Sequence, residues 1–204
     1  MSTDIGEELI EEYLRLNGFF LIRRFTIHHT DKNPSDVDFI GVRMPGSIEI
    51  VEDATDPLQS VVFEDDPRLQ HFFPPDCIAI LMAEVTLSHK KVEIEERISK
   101  LKDRNRAEYV LRRFGIHVPN IISDLLDRKI TKSESLFKLT LTRTLFLHTE
   151  KLVEKYQKEN PELVFLSWTS AQNFVKKRSS YKIKSRGVHN LPRNIQLFIR
   201  SRQQ

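Results

Sequence analysis

The 204-residue sequence contains one cysteine, Cys77. That excludes an internal disulfide framework and a cysteine-based zinc cluster, and it fits a reducing, cytoplasmic setting. Its 6 glycines are scattered singly, so no glycine-rich loop cradles a phosphate. Long hydrophobic runs are also lacking. The longest, Cys77 to Ala83, is ended by Glu84 and is far too short to span a bilayer. The N-terminus, MSTDIGEELIEEYL, is acidic where a secretory signal needs a basic start and an apolar run. Ser88-His89 has no G-x-S-x-G turn around it, which argues against a serine hydrolase.

Acids are missing after Glu162, and this absence is informative. Residues 151–204 carry 12 Lys+Arg against 3 Asp+Glu, while residues 1–150 carry 20 against 26. The overall charge of +3 therefore conceals a basic C-terminal segment on a mildly acidic body. Clustered Lys and Arg release condensed counterions from a polyanion, so nucleic acid is the expected partner; the plainer alternative is a solvated basic tail. The best phosphate-contact cluster is Lys176, Lys177, Arg178, Lys182, Lys184 and Arg186, with Trp168 and Tyr181 as stacking groups.

Periodicity predicts a helix over 4–17, capped by Ser2, Thr3 or Asp4 and stopped at Asn17-Gly18. Strands are expected over 19–27 and 36–43, joined by a polar loop. In the second, Val37, Phe39 and Gly41 alternate with Asp36, Asp38 and Ile40. Residues 44–76 are proline-rich and hold 8 acids against one arginine; they read as an insertion between core strands, with SIEIV and SVVF as a small hairpin. The apolar run over 77–87 predicts a strand buried on both faces. A charged amphipathic helix over 90–114, broken near Asp103–Asn105, follows. One long or two short strands are expected over 135–148, a helix over 150–158, a strand over 162–168 and a helix to about residue 180. The order implies an α/β domain around a central mixed sheet, with a core over 1–168 and a basic helix and tail over 169–204.

Glu84 stands out within its strand, because a buried charge costs several kcal/mol unless it is paired or bound to metal. Asp38 occupies the middle of the preceding strand, where aspartate is disfavoured. Two carboxylates facing each other on adjacent strands repel unless a cation lies between them. Hard oxygen donors of this kind suit Mg²⁺, or Mn²⁺ in its place. Glu7 or Glu8 on the first helix offers a third acid. His28-His29 is a weak metal candidate, since adjacent strand residues point to opposite faces.

These residues resemble the PD-(D/E)XK nuclease superfamily, the restriction-endonuclease-like fold. Glu7 followed by Gly18-Phe19 resembles the family's opening helix and the glycine–aromatic pair after it. SDVDFIGVR, residues 35–43, resembles the strand bearing the metal-binding aspartate, here Asp38, with Asp36 as a supporting or loop-capping residue. ILMAEVTLS, residues 80–88, resembles the hydrophobic run ending in E-x-K, with Glu84 as the glutamate. YVLRRFG, residues 109–115, is similar to a segment of restriction or defence branches.

The resemblance implies a metal-dependent endonuclease in a restriction or defence context. DNA would be its substrate, and it would work as a homodimer or within a larger defence complex. Asp38, Glu84 and the backbone carbonyl of Val85 would hold Mg²⁺ or Mn²⁺, with Glu7 assisting. The sequence departs from the pattern at Thr86, which stands where the family has its lysine. Three alternatives follow: a lysine from elsewhere, with Lys90, Lys91 and Lys100 as candidates; hydroxide generation by metal alone; or an inactive nuclease-fold subunit that binds nucleic acid or scaffolds a complex.

Overall fold

The computed structural model describes residues 5–28, 34–47, 49–51, 61–63, 65–127, 131–132 and 138–184. Helix α1 (Ile5–Leu16) turns Leu9, Ile10, Tyr13 and Leu14 inward at helical spacing. It stops where expected. Gly18 adopts φ +80°, and the Phe19 N–H donates to the Leu14 carbonyl at 3.1 Å.

Strands β1 (Phe20–Ile27) and β2 (Ser35–Arg43) then pair antiparallel. Gly41 keeps this contact close: a Cβ there would lie 2.7 Å from Leu21 Cδ2 and 3.1 Å from the Phe20 carbonyl, so the Leu21 side chain would have to move. The insertion over 44–76 forms the expected hairpin, β3 (Glu49–Val51) against β4 (Val61–Phe63), followed by the short helix α2 (Pro67–Gln70). The chain returns to the sheet as β5 (Cys77–Val85), antiparallel to β2.

Helices α3 (Lys91–Lys102) and α4 (Arg104–Arg113) occupy the stretch 90–114, with the break where the sequence placed it. Asp103 makes the break: its Oδ1 accepts from the Asn105 and Arg106 N–H groups at 2.9 and 3.3 Å and so caps α4. Helix α5 (Pro119–Leu126) was not anticipated, although Pro119 at its start and the buried Ile122, Leu125 and Leu126 are its signature. Strand β6 (Thr131–Lys132) pairs antiparallel with the beginning of β7 (Lys138–Leu147), which is one long strand. Helix α6 (Glu150–Glu159), strand β8 (Val164–Ser167) and helix α7 (Trp168–Lys184) complete the described chain.

The sheet has 6 strands in the order β1-β2-β5-β7-β6, with β8 beside β7 as well. Its β5, β7 and β8 run parallel and the others antiparallel, so the sheet is mixed. Helices α1 and α7 cover one face with Leu9, Tyr13, Phe39, Leu81, Phe146 and Val175. On the other face, α3 to α6 bury Ile40, Ile80, Met82, Ile98, Val110 and Tyr156. Strand β5 is thus covered on both sides, which accounts for its near-continuous apolar sequence. Val37 departs from the expected alternation: it lies with Ile40, while Phe39 faces α1. Among the described residues no helix is long and apolar enough to cross a membrane.

Helix α7 extends beyond residue 180, and its first half is core. Ala171 and Val175 are buried, and Phe174 meets Tyr13 edge-on at 5.5 Å. The end of the insertion is tied to α1 by a buried polar set. The Asp66 N–H donates to Asn17 Oδ1 at 2.7 Å, and the Tyr13 hydroxyl donates to Asp66 Oδ2 at 3.0 Å. Burial opposes ionisation of Asp66, but hydrogen bonds from Arg68 and Tyr13 outweigh it and hold the carboxyl below its usual range. Its contribution to stability is therefore present above the unfolded-state pKa and is lost as pH falls through the lowered folded-state value. Asp66→Asn is expected to cost about 1–3 kcal/mol near neutral pH. In urea titrations its deficit against the parent should shrink as pH falls below the ordinary carboxylate range.

Candidate functional site

The ladder between β2 and β5 runs from Arg43 opposite Ala79 to Phe39 opposite Ala83. One step further, the same register would set Asp38 against Glu84, but there the backbone pairing ends. The Val85 N–H instead donates to the Asp38 carboxylate, at 2.8 Å from Oδ2. The two acids thus lie side by side where the strands separate, Asp38 8% and Glu84 0% exposed. Alternation along β5 puts Glu84 on the face of Ile80 and Met82, beneath α3 and α4.

The opposite neighbour of Asp38 is also irregular. The β1–β2 ladder keeps one register throughout but omits the pair Arg24–Asp38. Arg24 adopts φ 52°, a left-handed conformation that a side chain disfavours. Consecutive strand residues ordinarily point to opposite faces, yet both Arg23 and Arg24 reach Glu7 on α1. Their Nη2 atoms donate to Glu7 Oε2 at 2.8 and 3.2 Å.

Two arginines from the covering helices hold the acidic pair. Arg97 of α3 bridges it through one nitrogen. Its Nη1 donates to Asp38 Oδ1 and Oδ2 at 3.3 and 3.2 Å, and also to Glu84 Oε2. Arg106 of α4, itself buried, donates from Nη2 to Glu84 Oε1 at 3.3 Å and to the Asp36 carbonyl at 2.8 Å.

Burial raises the pKa of Glu84, and the neighbouring Asp38 charge adds to it; against the pull of Arg97 and Arg106, the carboxyl is pushed up to about 7. Asp38 is also raised, by burial first, with Arg97 and the Val85 N–H opposing and the Glu7 charge contributing. Glu7 therefore lies within electrostatic reach of the pair.

Three oxygens from two carboxylates converge on one cationic nitrogen. The donors are hard, and a divalent ion such as Mg²⁺ commonly takes one or two carboxylates and completes its shell with water. Asp38 and Glu84 fit that role. Among the described residues no group of three or more His, Cys, Asp and Glu side chains gathers as a metal cluster.

Several expectations need correction. Lys90, Lys91 and Lys100 do not reach the acids; they pair with Glu93, Glu95 and Glu96 along α3 at 3.0, 3.4 and 2.7 Å. Arg97 and Arg106 are the basic groups at the site, and Arg97 lies half-buried beside Ile94, Ile98 and Leu101, the buried stripe of the helix. Arg178 and Trp168 are withdrawn from the surface cluster, each being 5% exposed. Arg178 lies over the Phe174 ring at 5.2 Å. Lys177 is exposed and Lys176 half-buried. Lys182 and Lys184 fall on the helical backbone of α7, with side chains outside the described set; Arg186 lies wholly outside it. Thr86 follows β5, and its hydroxyl accepts from the Ser88 N–H at 3.2 Å. Val85 contributes its N–H to Asp38, as described above. His89 and His148 hydrogen-bond to each other at 2.8 Å, a contact the sequence does not announce.

No family model, curated protein or solved structure matches this chain.

Removing one partner of a buried charge pair leaves the other uncompensated, at about 3–5 kcal/mol. Arg106→Met is expected to destabilise the protein by that order, read from urea denaturation. Adding Glu84→Gln should restore a large part of the loss, because the stranded charge is then gone. Simple additivity of the two substitutions would show that Arg106 and Glu84 are not coupled.

Proposed function

We propose that this chain is a metal-dependent nuclease of restriction-endonuclease-like fold that hydrolyses phosphodiester bonds of DNA in a restriction or defence setting. The observation that carries the proposal is the convergence of Asp38 and Glu84 at the point where β2 and β5 part. The order of elements supports it: a Glu7-bearing helix, a strand whose pairing with β5 stops one residue short of Asp38, an insertion, and a strand ending near Glu84.

Asp38 and Glu84 would hold Mg²⁺ or Mn²⁺, which when bound acidifies water and offsets charge on a phosphate. The remaining work falls to residues of the chain. The Val85 N–H fixes the orientation of Asp38, and Arg106 fixes Glu84 from the opposite side. Arg97 balances the acidic pair while no metal is bound, a charge that Thr86 cannot supply. Glu7 contributes negative potential from α1. Lys176 and Lys177, with the basic residues beyond Arg178, would contact the substrate backbone without reading sequence.

A specific observation favours a second reading, an inactive nucleic-acid-binding or scaffolding subunit. The acidic pair is already neutralised by Arg97 and Arg106, and the Thr86 hydroxyl is engaged by its own turn. Incubation of the purified chain with single- and double-stranded DNA and RNA in Mg²⁺ or Mn²⁺ separates the two.

Asp38→Ala and Glu84→Ala are each expected to lower metal-dependent cleavage by about a hundredfold or more while circular dichroism stays unchanged. A variant that cuts like the parent ends the assignment. Salt-sensitive binding without cleavage under either metal supports the inactive subunit. A large gain from Thr86→Lys would mark a decayed site, whereas no gain would point to a relocated group.

A further inference from the structure

The two arginines at the acidic pair are held very differently. Arg106 is 3% exposed and divides its Nη2 between Glu84 and the Asp36 carbonyl, so it is fixed by the backbone as well as by charge. The Arg97 side chain is 32% exposed, and its contacts to the pair are all made by Nη1. A third carboxylate, Glu93, lies on the solvent side. Glu93 lies four residues earlier on α3, the spacing that brings side chains together on a helix. Glu93 is exposed, already feels the Arg97 charge, and is paired with the outer Lys90 at 3.0 Å. A rotation about the Arg97 stem therefore exchanges one carboxylate environment for another, without unpairing Arg106 or moving the helix.

We propose that Arg97 is a displaceable internal cation that closes the Asp38–Glu84 site in the resting protein, and that a divalent metal binds by driving it outward to Glu93. The inference rests on the metal reading above and adds the regulation of that site. The guanidinium nitrogen lies where the carboxylate oxygens converge, so Arg97 and a metal exclude one another. The apparent metal affinity is then reduced by the fraction of molecules in which Arg97 is out.

Calorimetric titration of the full chain with Mn²⁺ tests the proposal without reference to cleavage. Arg97→Gln and Arg97→Ala are expected to bind Mn²⁺ about tenfold more tightly than the parent, with one ion per chain, whereas Arg97→Lys stays near the parent. Glu93→Gln should weaken binding by about twofold, since the open state loses its outer partner. In the Arg97→Gln background Glu93→Gln should have no effect, which separates a resting place for Arg97 from a metal ligand. Adding Asp38→Asn to Arg97→Gln should abolish the binding.

Equal or weaker binding after removal of Arg97 overturns the proposal while leaving the metal site standing. Absence of Mn²⁺ binding in every variant, or binding that survives Asp38→Asn, overturns the metal reading itself. Thermal melts report whether the Arg97 variants fold. Should they not, the Glu93→Gln titration against the parent decides the matter, an unchanged affinity counting against displacement.

Discussion

A carboxylate with no solvent exposure sits at the end of a central strand, next to a second buried carboxylate, and the surrounding architecture is arranged to make that tolerable. Glu84 alone would be too costly to ionise at this depth, and Asp38 beside it raises the cost. The compensation comes from two helices. Arg97 reaches in from α3 and Arg106 from α4, and the Asp103 cap between the helices sets the turn that brings Arg106 over the strand. The separation of β2 from β5 belongs to the same arrangement: the Val85 N–H is free to meet the Asp38 carboxylate because it is not in the ladder. Ion pairing with Arg97 and Arg106 is the structure's answer to this electrostatic problem, and the proposed metal would be a competing one.

The insertion between β2 and β5 is held to the body by buried polar groups at its edges. Arg43 at the end of β2 pairs with Asp65 and also donates to the Ser47 carbonyl at 2.9 Å. Asp66 joins Tyr13, Asn17 and Arg68. The two flanks of a long excursion are therefore fixed within one cluster at the C-terminal end of α1. This keeps β2 and β5 adjacent despite the many residues between them, a closure whose entropic cost grows only slowly with length.

Much of the frame was legible because it follows two simple periods. The helical spacing of Leu9 and Tyr13 specifies α1, and the apolar run at Cys77 specifies a strand covered on both sides. Asp38 and Glu84 were legible for a different reason: an acid inside such a strand requires a partner. The partners themselves were not. Arg97 and Arg106 sit in a heavily charged stretch, where most side chains are solvated and i,i+4 pairs are routine. Their distinguishing mark is position relative to the buried stripe, Arg97 half-buried beside Ile94, Ile98 and Leu101, and Arg106 buried with Ala107 and Val110. The basic segment misled in the opposite direction. Composition marks Lys176 to Arg178 as one cluster, but the helical turn carries Arg178 inward against Phe174. Charge counts do not specify which face of a helix each charge occupies.

The left-handed turn of the backbone at Arg24 has a consequence for association between molecules. Strand β1 is the outer edge of the sheet, and Phe20 and Ile22 upon it are 70% and 53% exposed. An edge of this length and composition is a template on which a foreign strand can add. Arg24 breaks the row of backbone donors and acceptors near its middle, leaving only short straight stretches on either side. The conformation that turns Arg23 and Arg24 together onto Glu7 therefore also disarms the edge, so a single strained residue serves both the pairing of Glu7 and the protection of the rim.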